Sequence, residues 1–364
     1  MIPCFDAHCD TITAVLERGG SLLHNSCQLD LERLGAYSPA AQVFAVWGGR
    51  YEEKAALLRS ELEKSGLGRL CRNMAEVRQT AQEGKVAALL SLEGMEQLGC
   101  DIERLRRAHE QDGLIMANLC WNSDNALCGS AMDGGGGLTA AGRDFVREAQ
   151  DMGVAIDLSH ASERAFWDTL EVSARPVLAS HSDSAALCSD FPRNLTDAQF
   201  TALARQGGGA GINLCPDFLG LTRDVDAVCA HIEHFLALGG GKAVFLGADL
   251  DGIDDTPRGL EGAQDLGKIY EALLRRNHPE DLVRDIFWNV RRHEYTDIRK
   301  KQVLRYEEGG ALFQGTAHKI PAHRPAALRH EQKGVRVRPR RRGPGRAHRP
   351  EGAGPGPHKI HGER

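Results

Sequence analysis

The sequence lacks the features that mark several common classes of protein. No apolar run approaches the about 18 residues of a membrane-spanning helix, so we expect no membrane association. Met1 leads directly into a short apolar run without a basic segment or cleavage site, so we expect no signal peptide and a cytoplasmic location. The ten cysteines form no Cys-x-x-Cys pair. This spacing excludes a zinc ribbon and a thioredoxin-type site.

Residues 1–314 carry more acidic than basic side chains, whereas the end of the chain is strongly basic. The 364 residues are 41% hydrophobic and 26% charged, which is typical of a globular protein. Residues 315–364 carry 13 lysines and arginines against 3 acidic residues and contain no aromatic residue. Such a segment cannot offset its chain entropy by burial, so we predict a disordered Arg/Pro/Gly-rich tail after a folded domain at 1–314.

The basic tail has two interpretations. A Lys/Arg-rich segment can contact nucleic acid, but this one has no aromatic side chains on which bases would stack. We therefore do not expect nucleic acid as a partner, and we favour an adventitious extension. The oligomeric state is open, with a homodimer as one alternative.

Short apolar runs alternate with longer amphipathic stretches along the chain. Apolar runs without polar alternation predict parallel strands buried on both faces, and the stretches between them predict helices. Eight such repeats in roughly 300 residues predict an α/β fold, the (β/α)8 TIM-type barrel, with a doubly wound sheet as the alternative. The predicted strands cover residues 2–7, 42–47, 86–92, 114–119, 154–158, 176–180, 210–214 and 243–248.

The helices have recognisable ends. Thr196 followed by Gln199 predicts a capping box, and Gly153 predicts a helix end. His231 and His234 have the wrong spacing for a His-Glu-x-x-His zinc motif, so we interpret them as part of a solvated outer patch. The predicted helices cover residues 52–64, 101–110, 139–152, 162–170, 196–206, 223–239, 262–276 and 279–290.

A barrel of this kind places its chemistry at the carboxyl ends of the strands. Any one His, Asp or Glu at such an end is usually a helix cap or a loop hydrogen bond, but five of the eight predicted strands end in one. Their joint occurrence predicts a catalytic face. The residues concerned are His8, Asp10, Glu93, His160, His181 and Asp249.

The first strand ends in a His-x-Asp pair. Residues two apart on a strand point to the same side, so His8 and Asp10 can bind a single ligand together. An imidazole beside a carboxylate suits a divalent transition metal, with zinc as the first choice. The alternative is that Asp10 caps the helix that follows it.

The remaining residues suit a second metal ion. Glu93 lies between the histidine-bearing strands and would bridge two zinc ions, the second being bound by His160 and His181. A water shared by two cations loses its proton near neutral pH and becomes a nucleophilic hydroxide. Asp249 would then be the general base that passes this proton to a leaving amine. We therefore expect Glu93 and Asp249 to be the catalytic carboxylates.

Six motifs occur together in the order DAHCDT at 6–11, SLEG at 91–94, DLSH at 157–160, SHS at 180–182, RNLTD at 193–197 and GADLDG at 247–252. This set resembles the membrane (renal) dipeptidase family, zinc metallopeptidases of family M19 with an amidohydrolase-like barrel. Related amidohydrolases carry His-x-His on the first strand, so His-x-Asp favours the dipeptidases. The resemblance implies hydrolysis of dipeptides at two zinc ions bound by His8, Asp10, Glu93, His160 and His181.

The resemblance also assigns substrate contacts. It implies that Arg193 binds the terminal carboxylate of the dipeptide, a role that suits its planar fork of donors. An ordinary loop ion pair is the alternative for Arg193. Asp249 would handle the proton or anchor the amino group of the substrate.

The sequence departs from the family at one position in the site. Family dipeptidases carry a substrate-polarising His after the fourth strand, where this chain has Trp121. An indole donates one hydrogen bond but cannot become a cation, so oxyanion stabilisation would be weaker or come from elsewhere. We expect Trp121 to contact the substrate and to narrow the range of substrates that the site accepts. There are two functional alternatives. The chain could hydrolyse another small amide or a lactam, or it could be a catalytically impaired pseudoenzyme.

Overall fold

The computed structural model describes residues 1–220 and 222–288. The described residues form nine strands, all paired in parallel. They are β1 Cys4–Cys9, β2 Ala40–Val46, β3 Gly68–Leu70, β4 Val86–Leu92, β5 Leu114–Asn118, β6 Ala155–Asp157, β7 Leu178–Ala179, β8 Gly209–Ile212 and β9 Val244–Leu246. Each of the eight predicted strands is present, with bounds within two residues of the prediction.

Eight of the strands close into a barrel. Pairing runs in the order β2-β1-β9-β8-β7-β6-β5-β4, and β4 pairs back with β2 through residues 41–46 opposite residues 87–92. This closure confirms the TIM-type barrel and contradicts the doubly wound alternative. The ninth strand, β3, pairs with residues 86–88 at the start of β4 and is too short to form a recognisable apolar run.

Helices connect the strands, and eight of them correspond to predicted helices. They are α1 Thr11–Arg18, α2 Leu31–Leu34, α3 Tyr51–Ser65, α4 Met74–Gln82, α5 Ile102–Arg107, α6 Ala140–Met152, α7 Glu163–Val172, α8 Asp197–Arg205, α9 Pro216–Leu219, α10 Val225–Ala237, α11 Leu266–Arg275 and α12 Glu280–Phe287. The predictions missed α1, α2, α4 and α9. The capping box at Thr196 and Gln199 is present, and Gly153 ends α6 in the left-handed conformation.

The two faces of β4 show how the barrel directs side chains to its mouth. Val86, Ala88 and Leu90 pack with helix residues such as Leu58 and Leu62 of α3 in the outer core. Ala87 and Leu89 belong to a separate inner cluster with Phe5 and Val43. Because strand residues alternate between faces, Ser91 and then Glu93 continue the inner row. The register of β4 thus delivers Glu93 to the barrel axis.

Small residues allow the strands around β7 to approach closely. A Cβ added at Gly211 or Gly247 would overlap the carbonyl oxygen of Ser180, which follows β7. Any larger residue at these positions would displace the end of β7. Glycine is therefore required beside the strand that carries His181.

One further prediction is wrong. His231 lies on α10 but is only 1% exposed, and its Nδ1 accepts a hydrogen bond from the backbone N–H of Ser184 at 3.0 Å. It is a buried link between α10 and the loop after β7, not part of a solvated patch. The boundary predicted at residue 314 and the tail at 315–364 lie outside the described residues. In the part of the chain that is described, no helix combines the length and hydropathy needed to cross a bilayer.

Candidate active site

The eight predicted site residues converge at the carboxyl ends of the barrel strands. Six of them line one cavity of about 640 Å³: Asp10, Glu93, Trp121, His160, Arg193 and Asp249. The other two, His8 and His181, do not line this cavity but contact Glu93. The predicted grouping of these residues is therefore present.

Glu93 lies between two groups of potential metal ligands. Its Oε1 lies 2.7 Å from Nε2 of His160 and 3.5 Å from Nε2 of His181. Its Oε2 lies 3.6 Å from Nε2 of His8, on the other side. One carboxylate oxygen thus faces each group, which is the arrangement that a bridging ligand requires.

The His8–Asp10 pair forms the centre of the first group. Nε2 of His8 lies 3.5 Å from Asp10 and 3.7 Å from Asp249, and the ligand atoms of these three residues lie within 4.8 Å of one another. Asp10 precedes α1, but its side chain makes no capping hydrogen bond to that helix. The geometry therefore contradicts the helix-cap interpretation of Asp10.

Buried polar atoms in this group have no hydrogen-bond partner in the described part of the chain. They are Nε2 of His8 and Oδ1 of Asp10, and both residues are at most 5% exposed. Unpaired polar atoms that face several carboxylates in a buried site are costly unless a cation binds there. The donor set therefore fits a divalent metal ion, and so does the second group of Glu93, His160 and His181, whose ligand atoms also lie within 4.8 Å of one another.

The charges in the site shift one another's proton affinities. Burial lowers the pKa of His8, but the carboxylates of Glu93 and Asp10 outweigh it and raise that pKa well above its usual range. Burial raises the pKa of Glu93, but the charge of His8 and the close approach of His160 and His181 hold it well below its usual range. Glu93 is therefore held as a carboxylate, the form that can bridge cations.

Ser180 connects the candidate ligand His181 to a buried carboxylate. Its hydroxyl donates to Oδ2 of Asp157, and its Oγ lies 2.7 Å from Nδ1 of His181 and 3.4 Å from Nδ1 of His8. Asp157 also accepts from the backbone N–H groups of Ser159 and Ser180. Since the hydroxyl hydrogen is committed to Asp157, Oγ accepts from His181, which leaves Nε2 of His181 free to bind a metal.

Asp249 lies beside the first group of ligands. Its Oδ2 accepts a hydrogen bond from the Asn213 side chain at 3.0 Å, and its backbone adopts a left-handed conformation with φ 58°. Burial, with the nearby carboxylates of Asp10 and Glu93, raises the pKa of Asp249 to about 7. A carboxyl group poised in this way can accept and return a proton near neutral pH.

Arg193 provides a buried positive charge at the cavity wall. Its side chain lies over the ring of Phe218, 5.6 Å from the ring centroid, and its Nη1 donates to Ser182 at 3.4 Å. Arg193 is 5% exposed, and no carboxylate lies within ion-pair distance of it among the described residues. This geometry contradicts the alternative of an ordinary loop ion pair and leaves the guanidinium available to an anionic ligand.

Several contributors were missed by reasoning from the sequence. They are Trp47 after β2, Asn122 after β5, Asp157 and Ser180 around His181, and Asn213 after β8. Asn213 directly follows β8, and Asn122 lies in the loop just after β5, so both carry the same signal that identified the charged residues. That signal was applied only to His, Asp and Glu, because amides and serines at strand ends are usually helix caps or turn residues. Asp157 ends β6 and carried the signal, but it was not included in the predicted site.

Comparison with known proteins agrees with this geometry. The family model for membrane dipeptidases, peptidase family M19, matches residues 1–292. An uncharacterised protein encoded in the pqqA 5′ region of Klebsiella pneumoniae is 31% identical over 253 residues, which cover 65% of this chain and 92% of that protein. An uncharacterised dipeptidase of Schizosaccharomyces pombe is 36% identical over 204 residues, 54% of this chain and 49% of its own. The chain thus spans about half the length of the yeast relative.

Solved structures show the same fold. A metallopeptidase from Rhodobacter sphaeroides, liganded with a phosphinate mimic of the dipeptide L-Ala-D-Ala, superposes with a TM-score of 0.72 at 25% identity, covering 81% of this chain and 98% of that chain. A dipeptidase described as a metallopeptidase of family M19 gives a TM-score of 0.71 at 27% identity with the same coverage. The chain belongs to the membrane dipeptidase family, peptidase family M19, and is a hydrolase of the metallopeptidase class.

Proposed function

We propose that this protein is a binuclear zinc dipeptidase. The observation that carries this proposal is the position of Glu93, with one carboxylate oxygen facing His160 and His181 and the other facing His8. One zinc ion would be held by His8, Asp10 and Glu93, and the second by Glu93, His160 and His181. Two zinc ions bound there would polarise the peptide carbonyl and lower the pKa of an attacking water.

Substrate binding and proton transfer are assigned to side chains of the protein. Arg193 binds the carboxylate of the carboxyl-terminal residue through its paired N–H donors. Asp249, held by Asn213, accepts the proton of the attacking water and delivers it to the nitrogen of the departing amino acid. Since the scissile amide lies one residue from the carboxylate, Arg193 selects substrates whose cut lies one residue from the chain end.

The choice of dipeptides follows from a solved relative. The Rhodobacter sphaeroides metallopeptidase was crystallised with a mimic of L-Ala-D-Ala. We therefore propose that dipeptides with D as well as L residues at the carboxyl-terminal position are candidate substrates. Lactams and N-acyl amino acids belong in the same assay as the competing substrate classes.

Metal content and turnover of the purified chain test the proposal together. We expect about two zinc ions per chain by plasma mass spectrometry and hydrolysis of L-Ala-L-Ala or L-Ala-D-Ala. Glu93→Ala removes the carboxylate that the two proposed metal sites share, so both metal content and turnover should fall. Glu171→Gln, on the exposed face of α7, is the matched control and should change neither.

Two results would contradict the proposal. If the zinc-loaded protein hydrolysed a lactam or an N-acyl amino acid but no dipeptide, its substrates would belong to that class and not to the dipeptides. Protein that binds no zinc and hydrolyses none of these would identify a pseudoenzyme.

A further inference from the structure

Two tryptophans meet above the end of β4. Trp47 follows β2 and Trp121 follows β5, the two strands that flank β4 at this end of the barrel. Their ring centroids lie 4.8 Å apart with planes inclined at 54°, and both indoles line the active-site cavity. Together with the partly exposed Met132, they form an apolar wall in a cavity that is otherwise rich in charge.

Hydrogen bonds to the backbone carbonyl oxygen hold each tryptophan in place. The carbonyl oxygen of Trp47 accepts a hydrogen bond from Nζ of Lys54, a side chain that is only 1% exposed, and a second from Thr13 at 3.4 Å. The carbonyl oxygen of Trp121 accepts from Oγ of Ser130 at 2.7 Å. Burying a lysine to hold one carbonyl is costly, which indicates a need for a defined position at Trp47. The backbone that carries the two indoles is therefore held in a defined position.

The wall lies across the barrel mouth from Arg193. Arg193 lies in the loop that follows β7, and β7 is opposite β2, the strand that precedes Trp47, in the closed eight-stranded order. Glu93 and the candidate metal ligands lie between the two. A dipeptide whose carboxylate is bound by Arg193 and whose amide lies over the metal centre must extend its amino-terminal residue toward the tryptophans.

We propose that Trp47 and Trp121 form the subsite for the side chain of the amino-terminal residue and select large apolar side chains, aromatic ones above all. This inference rests on the proposed dipeptidase function. Inclined indole rings provide broad apolar surface and favourable edge and face contacts for a third ring. A bound phenyl group would be removed from water against both indoles, while the side chain of Gly or Ala would leave most of the wall uncovered.

A dipeptide series that varies only the amino-terminal residue tests this subsite. The substrates are Gly-Gly, Ala-Gly, Leu-Gly, Phe-Gly and Arg-Gly, and the quantity compared is kcat/KM relative to Ala-Gly. We expect the wild type to favour Phe-Gly and Leu-Gly. In Trp47→Ala and in Trp121→Ala, the ratio of Phe-Gly to Ala-Gly should fall about tenfold or more, because the contact area is lost.

Two controls separate selectivity from damage to the fold. Trp47→Phe keeps an aromatic ring at the wall and should retain most of the preference for Phe-Gly. Trp167→Ala removes an exposed tryptophan of α7 that does not line this cavity, and its ratios should equal those of the wild type. Zinc content is measured for every variant, since a variant with intact zinc content and altered ratios has lost selectivity and not its metal site.

The outcomes distinguish this inference from the function on which it rests. Three results would overturn the subsite while leaving the dipeptidase function intact. They are equal kcat/KM for all five dipeptides, a ratio of Phe-Gly to Ala-Gly that is unchanged in both alanine variants, and a preference of the wild type for Arg-Gly. Absence of turnover on any dipeptide by zinc-loaded wild type would overturn both.

Discussion

Oδ1 of Asn122 lies 2.8 Å from Nδ1 of His160. The amide oxygen can only accept, so the imidazole carries its hydrogen on Nδ1 and presents the lone pair of Nε2 toward Glu93. His160 also adopts a left-handed backbone conformation, with φ 73°, which a non-glycine residue enters at a cost. The contact with Asn122 therefore fixes both the tautomer and the ring direction of a candidate metal ligand.

Replacing Asn122 by Leu should weaken zinc binding at the second site by about 10- to 100-fold, because the imidazole of His160 loses the partner that orients it. The measurement is competition with a chromogenic chelator, which resolves the affinities of the two zinc ions. Asn122→Asp keeps an acceptor oxygen at this position and should retain most of the affinity. Equal zinc affinity in Asn122→Leu and the wild type would contradict the orienting role.

Ser180 performs the same task for His181, through Asp157. Ser180→Ala removes the donor to Oδ2 of Asp157 and the acceptor for Nδ1 of His181, so buried polar atoms lose their partners. We expect the free energy of unfolding of the zinc-free protein to fall by about 1–3 kcal/mol, and zinc content to fall as well. Urea titration followed by circular dichroism gives the first quantity.

Ser91→Ala is the matched control for Ser180→Ala. Ser91 is also buried, on β4, but its hydroxyl contacts only the backbone carbonyl of Phe44, at 3.5 Å, among the described residues. Its zinc content should equal that of the wild type. If both serine variants lost zinc equally, the effect would be one of packing and not of the link to Asp157.

The fold was predictable from the sequence where the apolar signal is long. Strands such as β4, with seven consecutive buried residues, are recognisable without any tertiary information. Helix α1 was missed because Thr11, Ile12 and Thr13 are β-branched and weak helix formers. The structure places all three residues in buried positions against the barrel, and this burial, which the sequence does not display, stabilises the helix.

The site divides in the same way. His8, Glu93 and His181 could be identified as candidate ligands because metal binding requires a few residue types and the barrel fixes where they must occur. Ser180 and Asn122 were not, since serine and asparagine are common at strand ends and only their contacts with particular histidines show what they do. Trp121 was recognised as a departure, but its contact with Trp47 depends on β2 and β5 being brought to either side of β4, which is a property of the closed barrel.

Removing the charge of Arg193 should affect substrate binding more than chemistry. For Arg193→Met we expect KM for dipeptides to rise about 10- to 100-fold, the equivalent of losing hydrogen bonds to a charged group. Dipeptide amides, which lack the terminal carboxylate, provide the discriminating measurement. Wild type and variant should hydrolyse them equally poorly, whereas a uniform loss on both substrate types would place Arg193 in a structural role.

Buried His231 should make the stability of the barrel depend on pH. Burial lowers the pKa of His231 in the folded protein to about 4, while the unfolded chain has the ordinary value of about 6.5. Between these values the unfolded state binds a proton that the folded state does not. The contribution of neutral His231 to the free energy of unfolding is therefore fully present above pH 6.5. It is lost as the pH falls toward 4, and the loss is about 3 kcal/mol at most.

The difference between variants isolates this contribution from other titrating groups. In His231→Gln the slope of unfolding free energy against pH between 6.5 and 4 should be smaller than in the wild type by up to one proton, as measured by urea titration at several pH values. His24→Gln, which removes an imidazole whose side chain is 76% exposed, is the surface control. Identical slopes in the wild type and His231→Gln would mean that His231 becomes protonated without unfolding, which its acceptor contact with the Ser184 N–H opposes.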